Sequence, residues 1–300
     1  MKKEMKPLVE SYNIDEEYLY NKTYLFIKGY AEGRNYRNTL KALPLARMMH
    51  DGQHRKGLQE VEVINHIVEM VVDDSIENND GTIMKPVVKD VHETISVHLP
   101  YILHCLKVCS TLISLNIPLE DKEMDILLTC ALLHDTLEDC EEYFPKGGEE
   151  YVTEYGFPVE VRDAIQLLSK HEGSTELELN VYFNAIKKNK IALLVKMADR
   201  SHNVEDLYNM KNIPKYIQET KDYFLGGKKN LGSIVSYGKQ NYPELSNALA
   251  VLKSKILSLT EEAEVMYNKQ LAIIEEKDAI IKAKDEEIAR LKKLLEERNK

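Results

Sequence analysis

The chain has 300 residues, 43% of them hydrophobic and 30% charged, with a formal net charge of −10. That acid excess excludes a generic nucleic-acid binder, which needs a broad basic field, and no apolar run reaches the roughly 18 residues a membrane span requires. Four Cys without a CxxC pair make no disulfide framework, and the basic start Met1-Lys2-Lys3 has no apolar stretch behind it to form a signal peptide, so the chain reads as soluble, reduced and cytoplasmic.

Helical patterning dominates from the N-terminus onward. Residues 12–30 carry Tyr12, Ile14, Tyr18, Leu19, Tyr24, Leu25 and Ile27 at loosely helical spacing. Residues 1–40 thus read as an N-terminal helical extension. Leu43 to His50 predicts a second helix with Pro44 in its first turn. The stretch 58–99 is ambiguous. It holds an apolar segment from Val61 to Val72 and a turn signal at Asn78-Asn79-Asp80-Gly81. Its Val87-Val88 and Ile95 to Val97 fit short strands and helix fragments equally well.

The signal sharpens at Pro100. Pro100 to Leu115 predicts a buried helix that ends before Asn116-Ile117-Pro118, and Asp121 to Leu137 predicts another. Phe144-Pro145-Lys146-Gly147-Gly148 breaks the chain. Further helices are expected over Val159 to Leu168 and Ile191 to Asp206. After a loop around Gly226-Gly227, Leu245 to Leu259 is apolar at helical spacing. Strand-like alternation is rare, so the class is all-α.

From about residue 262 the chain alternates acidic and basic residues, lacks Gly and Pro, and places Ile274, Ile281, Ile288 and Leu295 seven apart. That spacing is the pattern of a short coiled coil joining copies of the chain over 261–300. Glu287 interrupts a second set (Ile273, Ile280, Leu294), and Lys277 and Lys284 stand where a strict seam wants apolar residues. The alternative is a single exposed helix held by ion pairs four residues apart.

Chemistry concentrates at Leu132-Leu133-His134-Asp135-Thr136-Leu137-Glu138-Asp139. A carboxylate emerging from a buried helix is costly unless it is paired or bound to metal. On a continuing helix His134 would lie above Glu138 and Asp135 above Asp139. Three acids at a helix C-terminus also oppose its dipole, so a divalent cation is the natural partner. A second acid, Asp199, follows the apolar Ile191-Ala192-Leu193-Leu194-Val195 within Lys196-Met197-Ala198-Asp199-Arg200-Ser201-His202-Asn203. His104 sits in the apolar Pro100-Tyr101-Ile102-Leu103-His104, where alone it would read as a core histidine. Gly52-Gln53-His54-Arg55-Lys56-Gly57 is a donor-rich loop suited to an anionic or purine ligand.

In this order, together with Tyr155-Gly156-Phe157-Pro158-Val159 and Leu167-Leu168-Ser169-Lys170, these segments resemble the HD-type hydrolase domain of the RelA/SpoT alarmone enzymes. The resemblance covers about residues 42–210. It implies an all-α HD fold over 41–260, one Mn²⁺, and removal of the 3′-pyrophosphate from the nucleotide (p)ppGpp. By position it implies His104, His134, Asp135 and Asp199 as metal ligands, a set suited to a hard-to-borderline divalent ion. It implies Glu138 and Asp139 as the pair that orients or deprotonates water. Arg55, Lys56 and Asn203 fall at nucleotide-binding positions, with Arg55 able to stack on guanine, and His50 and Arg200 at supporting ones.

The chain departs from that family in three places. Residues 58–99 separate the Arg-Lys-Gly loop from Pro-Tyr-Ile, an insertion that leaves His66 and His98 as rival ligands; the Pro-Tyr-Ile context favours His104. Cys105 stands where the family prefers Pro, and Asp206 where a pocket Thr is common. Residues 211–300 are too few and too helical for the family's synthetase domain, so the reading is hydrolase-only. Two other functions stay open. One is an HD phosphohydrolase acting on another nucleotide, such as an adenine alarmone or a nicotinamide dinucleotide phosphate. The other is an idle nucleotide sensor, against which the Glu138-Asp139 pair argues. Cys105, Cys109, Cys130 and Cys140 read as inert buried thiols, and His92 and His171 as surface groups. Gly226-Gly227-Lys228-Lys229 lacks phosphate-loop spacing.

Overall fold

A computed structural model describes residues 9–10, 16–54, 59–72, 84–97, 100–170, 175–205, 207, 212–226 and 233–298. The chain forms two compact units, Met1–Ala198 and Asp199–Lys300. The body is all-α, as expected, and among the described residues strands are confined to a two-residue segment and the insertion. Among the described residues no helix is long and apolar enough to cross a membrane.

The first unit contains β1 (Val9–Glu10), α1 (Glu16–Arg34), α2 (Arg37–Met49), β2 (Gln59–Val72), β3 (Met84–Val97), α3 (Ile102–Ser114) and α4 (Asp121–Leu133). It continues through α5 (Thr136–Asp139), α6 (Glu150–Thr153), α7 (Val159–Leu168), α8 (Glu176–Ile186) and most of α9 (Lys190–Glu205). Helices α1 and α4 pack on α3, and α2 and α7 pack on α4. The core between them includes Ile27, Ala31, Ala42, Leu43, Leu106, Val108, Leu112, Leu127, Leu128, Leu132 and Ile165, all buried. All four cysteines are buried in this unit and none is in a disulfide. Burial pushes the Cys109 and Cys130 thiols up and that of Cys140 to about 11, which keeps them protonated.

Helix α2 starts earlier than its sequence indicates, and the cause lies on another helix. The buried Asp125 of α4 accepts hydrogen bonds from Thr39 N and Thr39 Oγ1, each at 2.8 Å. Its second oxygen accepts from Asn38 N at 3.2 Å and Asn38 Nδ2 at 2.8 Å. These contacts satisfy N–H groups of the first turn of α2 and place a negative charge at the positive end of its dipole. Pro44 consequently lies inside α2 rather than in its first turn. Pro44 has no N–H to donate to the preceding turn, and the cap supplied through space offsets part of that loss.

The ambiguous insertion is an antiparallel hairpin. Strands β2 and β3, 14 residues each, pair from Gln59↔Val97 to Val72↔Met84, and β1 adds to the outer edge of β2. The Asn78-Asn79-Asp80-Gly81 turn signal lies outside the described residues. The neck of the insertion is closed by backbone contacts. His54 bridges to Pro100, and Tyr101 N donates to Gln53 O at 2.8 Å. The two motif segments that the insertion separates in sequence are therefore neighbours in space.

The second unit holds the C-terminal part of α9, then α10 (Ile213–Glu219), a π-helical turn (Thr220–Leu225), α11 (Ile234–Asn241) and α12 (Ser246–Arg298). Val204, Leu207, Ile213, Ile217 and Ala263 form one of its cores. The Arg200 guanidinium is buried there. It donates to Thr220 Oγ1 at 3.1 Å and Glu219 Oε1 at 2.5 Å, and lies over the rings of Tyr216 and Phe224. Its donors fasten α9 to the π-helical turn rather than reaching for a ligand. Gly226, at φ 103°, turns the chain out of that turn, a backbone state few side chains tolerate.

Candidate metal centre and active site

The His134-Asp135 pair lies between two helices rather than within one. Helix α4 ends at Leu133, and α5 begins at Thr136. Thr136 Oγ1 donates to Leu133 O at 2.6 Å and lies 2.6 Å from the buried Tyr151 hydroxyl. A hydroxyl that takes up the last carbonyls competes with helix continuation. The expectation of one unbroken helix is therefore corrected: Asp139 N still donates to Asp135 O at 2.8 Å, one helical turn back, but Glu138 N donates to Asp135 O at 3.1 Å and not to His134. His134 and Asp135 occupy the corner, while Glu138 and Asp139 stand beyond it at the solvent edge.

At that corner three side chains converge. His104 from α3, His134 and Asp135 each offer a ligand atom, and these atoms all lie within 4.8 Å of one another. His104 Nε2 is 3.2 Å from His134 Nε2 and 3.5 Å from Asp135 Oδ2, and His134 Nε2 is 2.9 Å from that same oxygen. The two imidazoles are 1% and 2% exposed, so water does not screen the cluster from their side. His134 Nδ1 lies 2.9 Å from Ala131 O, an atom that only accepts, so Nδ1 carries the proton. In the neutral ring Nε2 then directs a lone pair into the cluster, the tautomer a metal-binding histidine needs. Two imidazole nitrogens and a carboxylate facing one point fit a divalent cation.

Tyr101 completes the cluster and was singled out in the sequence only as part of Pro-Tyr-Ile. Its hydroxyl donates to Asp135 Oδ2 at 2.7 Å, and burial beside that carboxylate drives its pKa far up, so it remains a donor. The signal that marks it is its place three residues before His104, on the same helical face. Behind Tyr101 lies His50, 2% exposed, its ring centroid 4.9 Å away. His50 Nδ1 donates to Gln53 Oε1 at 2.7 Å, and Gln53 Nε2 donates to Asp139 O at 3.0 Å. Burial lowers the His50 pKa and keeps the ring neutral. Gln53, held by His50, thus ties the start of the donor-rich loop to the end of α5.

Glu138 Oε2 accepts from Lys170 N at 3.0 Å. Desolvation of its carboxyl raises its pKa above the ordinary value, and the Lys170 N–H and the Lys196 charge oppose that shift. Arg55 and Lys56 lie outside the described residues, as do Asp206, His98 and His171. Asp199 and Asn203 lie on the part of α9 that belongs to the second unit, where Asn203 Nδ2 donates to Asp199 Oδ1. Asp199 is buried.

No family model matches the chain. The guanosine-3′,5′-bis(diphosphate) 3′-pyrophosphohydrolase MESH1 of Drosophila melanogaster is 33% identical to it over 144 residues, which span 47% of this chain and 72% of that protein.

Proposed function

The chain belongs to the family of MESH1, and from that premise we propose that it is an HD-type, metal-dependent hydrolase of the RelA/SpoT kind. It would remove the 3′-pyrophosphate from (p)ppGpp to give GDP or GTP and pyrophosphate. The observation that carries this reading is the convergence of His104, His134 and Asp135 beside an acidic pair. Asp199 is the proposed fourth ligand and Mn²⁺ the proposed ion. When bound, such an ion supplies Lewis-acid stabilisation of charge on the phosphate oxygens.

The remaining work falls to the chain's own groups. Tyr101 holds Asp135 in place by donating to Oδ2. Glu138, with its raised pKa, accepts a proton from the attacking water, and Asp139 orients that water. The water oxygen bonds to phosphorus as the bond from phosphorus to the ribose 3′ oxygen breaks, and that oxygen takes up a proton to become the 3′-hydroxyl. Arg55 is proposed to stack on guanine and Lys56 to meet the phosphates, while Asn203 lines the nucleotide pocket.

Incubating the purified protein and Mn²⁺ with ppGpp, pppGpp, an adenine alarmone and a nicotinamide dinucleotide phosphate tests this. Pyrophosphate and GDP released from ppGpp are expected. Turnover of another nucleotide alone moves the chain to the broader HD phosphohydrolases, and no turnover makes it a sensor.

The proposal extends to assembly. Helix α12 is one continuous helix of 53 residues, and among its described side chains the last buried one is Ala263. Beyond it Ile274, Ile281, Ile288 and Leu295 are 49–60% exposed, as are Ile280, Leu291 and Leu294 at 48–52%. A stripe of this kind about 30 Å long costs free energy in water and is relieved against a second copy. Deleting residues 271–300, which leaves Ala263 and Tyr267 in place, is expected to lower the mass measured by light scattering while hydrolysis per chain is unchanged. Equal masses of one chain for both forms would remove the oligomer.

A further inference from the structure

Glu138 is held in place by a helix that carries none of the site residues named so far. Its Oε2 accepts from Lys170 N at 3.0 Å, a donor whose position depends on how the backbone leaves α7. At the end of α7, Ser169 is extended (ψ 130°), while its N and Oγ still donate to Ile165 O at 3.0 and 3.1 Å. The chain departs the helix there, and the next N–H is the one that meets Glu138. The preceding carbonyl, Leu168 O, accepts from the Tyr182 hydroxyl at 2.7 Å. Tyr182 stands on α8, whose start is fixed by the Thr175–Glu178 capping box and whose Phe183 and Ile186 are buried. The Tyr182 ring also faces α9, with Lys196 Nζ 5.8 Å from its centroid. Desolvation raises the Glu138 pKa, and the two groups that oppose it most are the Lys170 N–H and the Lys196 charge. Each of these two is attached to Tyr182, one through its hydroxyl and the other through its ring.

We propose that Tyr182 is a positioning residue for hydrolysis. Its hydroxyl fixes the backbone of residues 168–170 that holds the Glu138 carboxylate, and its ring seats the Lys196 ammonium whose charge acts on that carboxylate. This role rests on the reading of Glu138 as the base. A base works only within about 2.6–3.2 Å of the proton it takes, and a misplacement of about 1 Å costs up to about 10²-fold in rate. The segment that sets the carboxylate's place is therefore felt in the chemical step. As a helix cap alone, the Tyr182 hydroxyl would merely satisfy one of the carbonyls that the end of α7 leaves without an intrahelical partner. That account gives no reason for the same side chain to meet Lys196, the cation that acts on the very carboxylate that Lys170 N holds. Tyr182 thus acts through Glu138 and supplies no atom to the reaction.

Steady-state turnover of ppGpp by the full-length protein with Mn²⁺ tests this, measured for the parent, Tyr182→Phe, Glu138→Gln and the double variant. Tyr182→Phe removes the hydroxyl and keeps the ring, which guards against a folding defect. Its kcat is expected to fall about 10-fold, with KM and bound Mn²⁺ unchanged. Tyr182→Leu, which also removes the ring beneath Lys196, should fall further. In the Glu138→Gln background, Tyr182→Phe is expected to cost nothing more, because the amide it positions takes no proton. The proposal is overturned if Tyr182→Phe keeps the parental kcat, or if its loss persists in full beside Glu138→Gln, as general damage to the fold would. In both cases a slow Glu138→Gln leaves the base reading standing. Near-normal turnover by Glu138→Gln, or none by the parent, refutes that reading first and the positioning role with it.

Discussion

Replacing Asp135 with Ala is expected to reduce hydrolysis by about 10³-fold or more and to remove one equivalent of Mn²⁺ from the purified protein. The carboxylate is the anionic member of the cluster, with its Oδ2 2.9 Å from His134 Nε2 and 3.5 Å from His104 Nε2. Without it the two buried imidazoles, 3.2 Å apart, and the proposed ligand Asp199 are left to hold a dication. Neutral rings lack the charge to do so, and protonated rings repel both the ion and each other. The rate loss follows because the several kcal/mol of charge stabilisation supplied by the ion disappears with it. The Tyr101 hydroxyl, which donates to Asp135 at 2.7 Å, also loses its acceptor. Metal analysis beside a pyrophosphate-release assay checks the result. Full metal content with activity lost would recast Asp135 as the base, and full activity would remove it from the centre.

Glu138→Gln should separate chemistry from binding. The amide oxygen can still accept from Lys170 N, so the side chain keeps its place, but the group can no longer take a proton. The rate is expected to fall by about 10²–10⁴-fold, with metal content unchanged. The pH profile adds a signed test. Desolvation raises the Glu138 pKa, so the group becomes protonated at a higher pH than an ordinary glutamate. A base must be ionised to act, so parental activity should decline as pH falls through a pKa above the usual carboxylate range. In Glu138→Gln that acidic limb should vanish from whatever rate remains. Near-normal turnover, or an unchanged limb, would assign the proton transfer to Asp139.

The fold was legible wherever local period and stop signals agreed. The helix over Val159–Leu168 coincides with its sequence expectation, and Pro100 marks the approach to α3. Helix α8 was missed although Thr175 and Glu178 form a capping box at its start, a signal present in the sequence. The hairpin could not be told from helix, because Val, Ile and Glu mix along β2 without clean alternation. The break between α4 and α5 was likewise hidden. It depends on Thr136 turning back to Leu133 and meeting Tyr151, a residue from a later helix.

The sequence by itself determined the helical class and the residue types that chemistry needs. It also showed that acids follow apolar runs at Asp135 and Asp199. Those properties are local, set by side-chain spacing over one or two helical turns. Only the tertiary structure decided that His104 meets His134 and Asp135, and that the insertion closes at its neck through His54, Pro100, Gln53 and Tyr101. It alone distinguished Asp125 from Asp135. Both are acids on or at the end of α4, but one is satisfied by backbone and side-chain donors of α2 and the other faces two imidazoles. The energy of a buried carboxylate depends on which donors reach it, and here those donors come from helices distant along the chain.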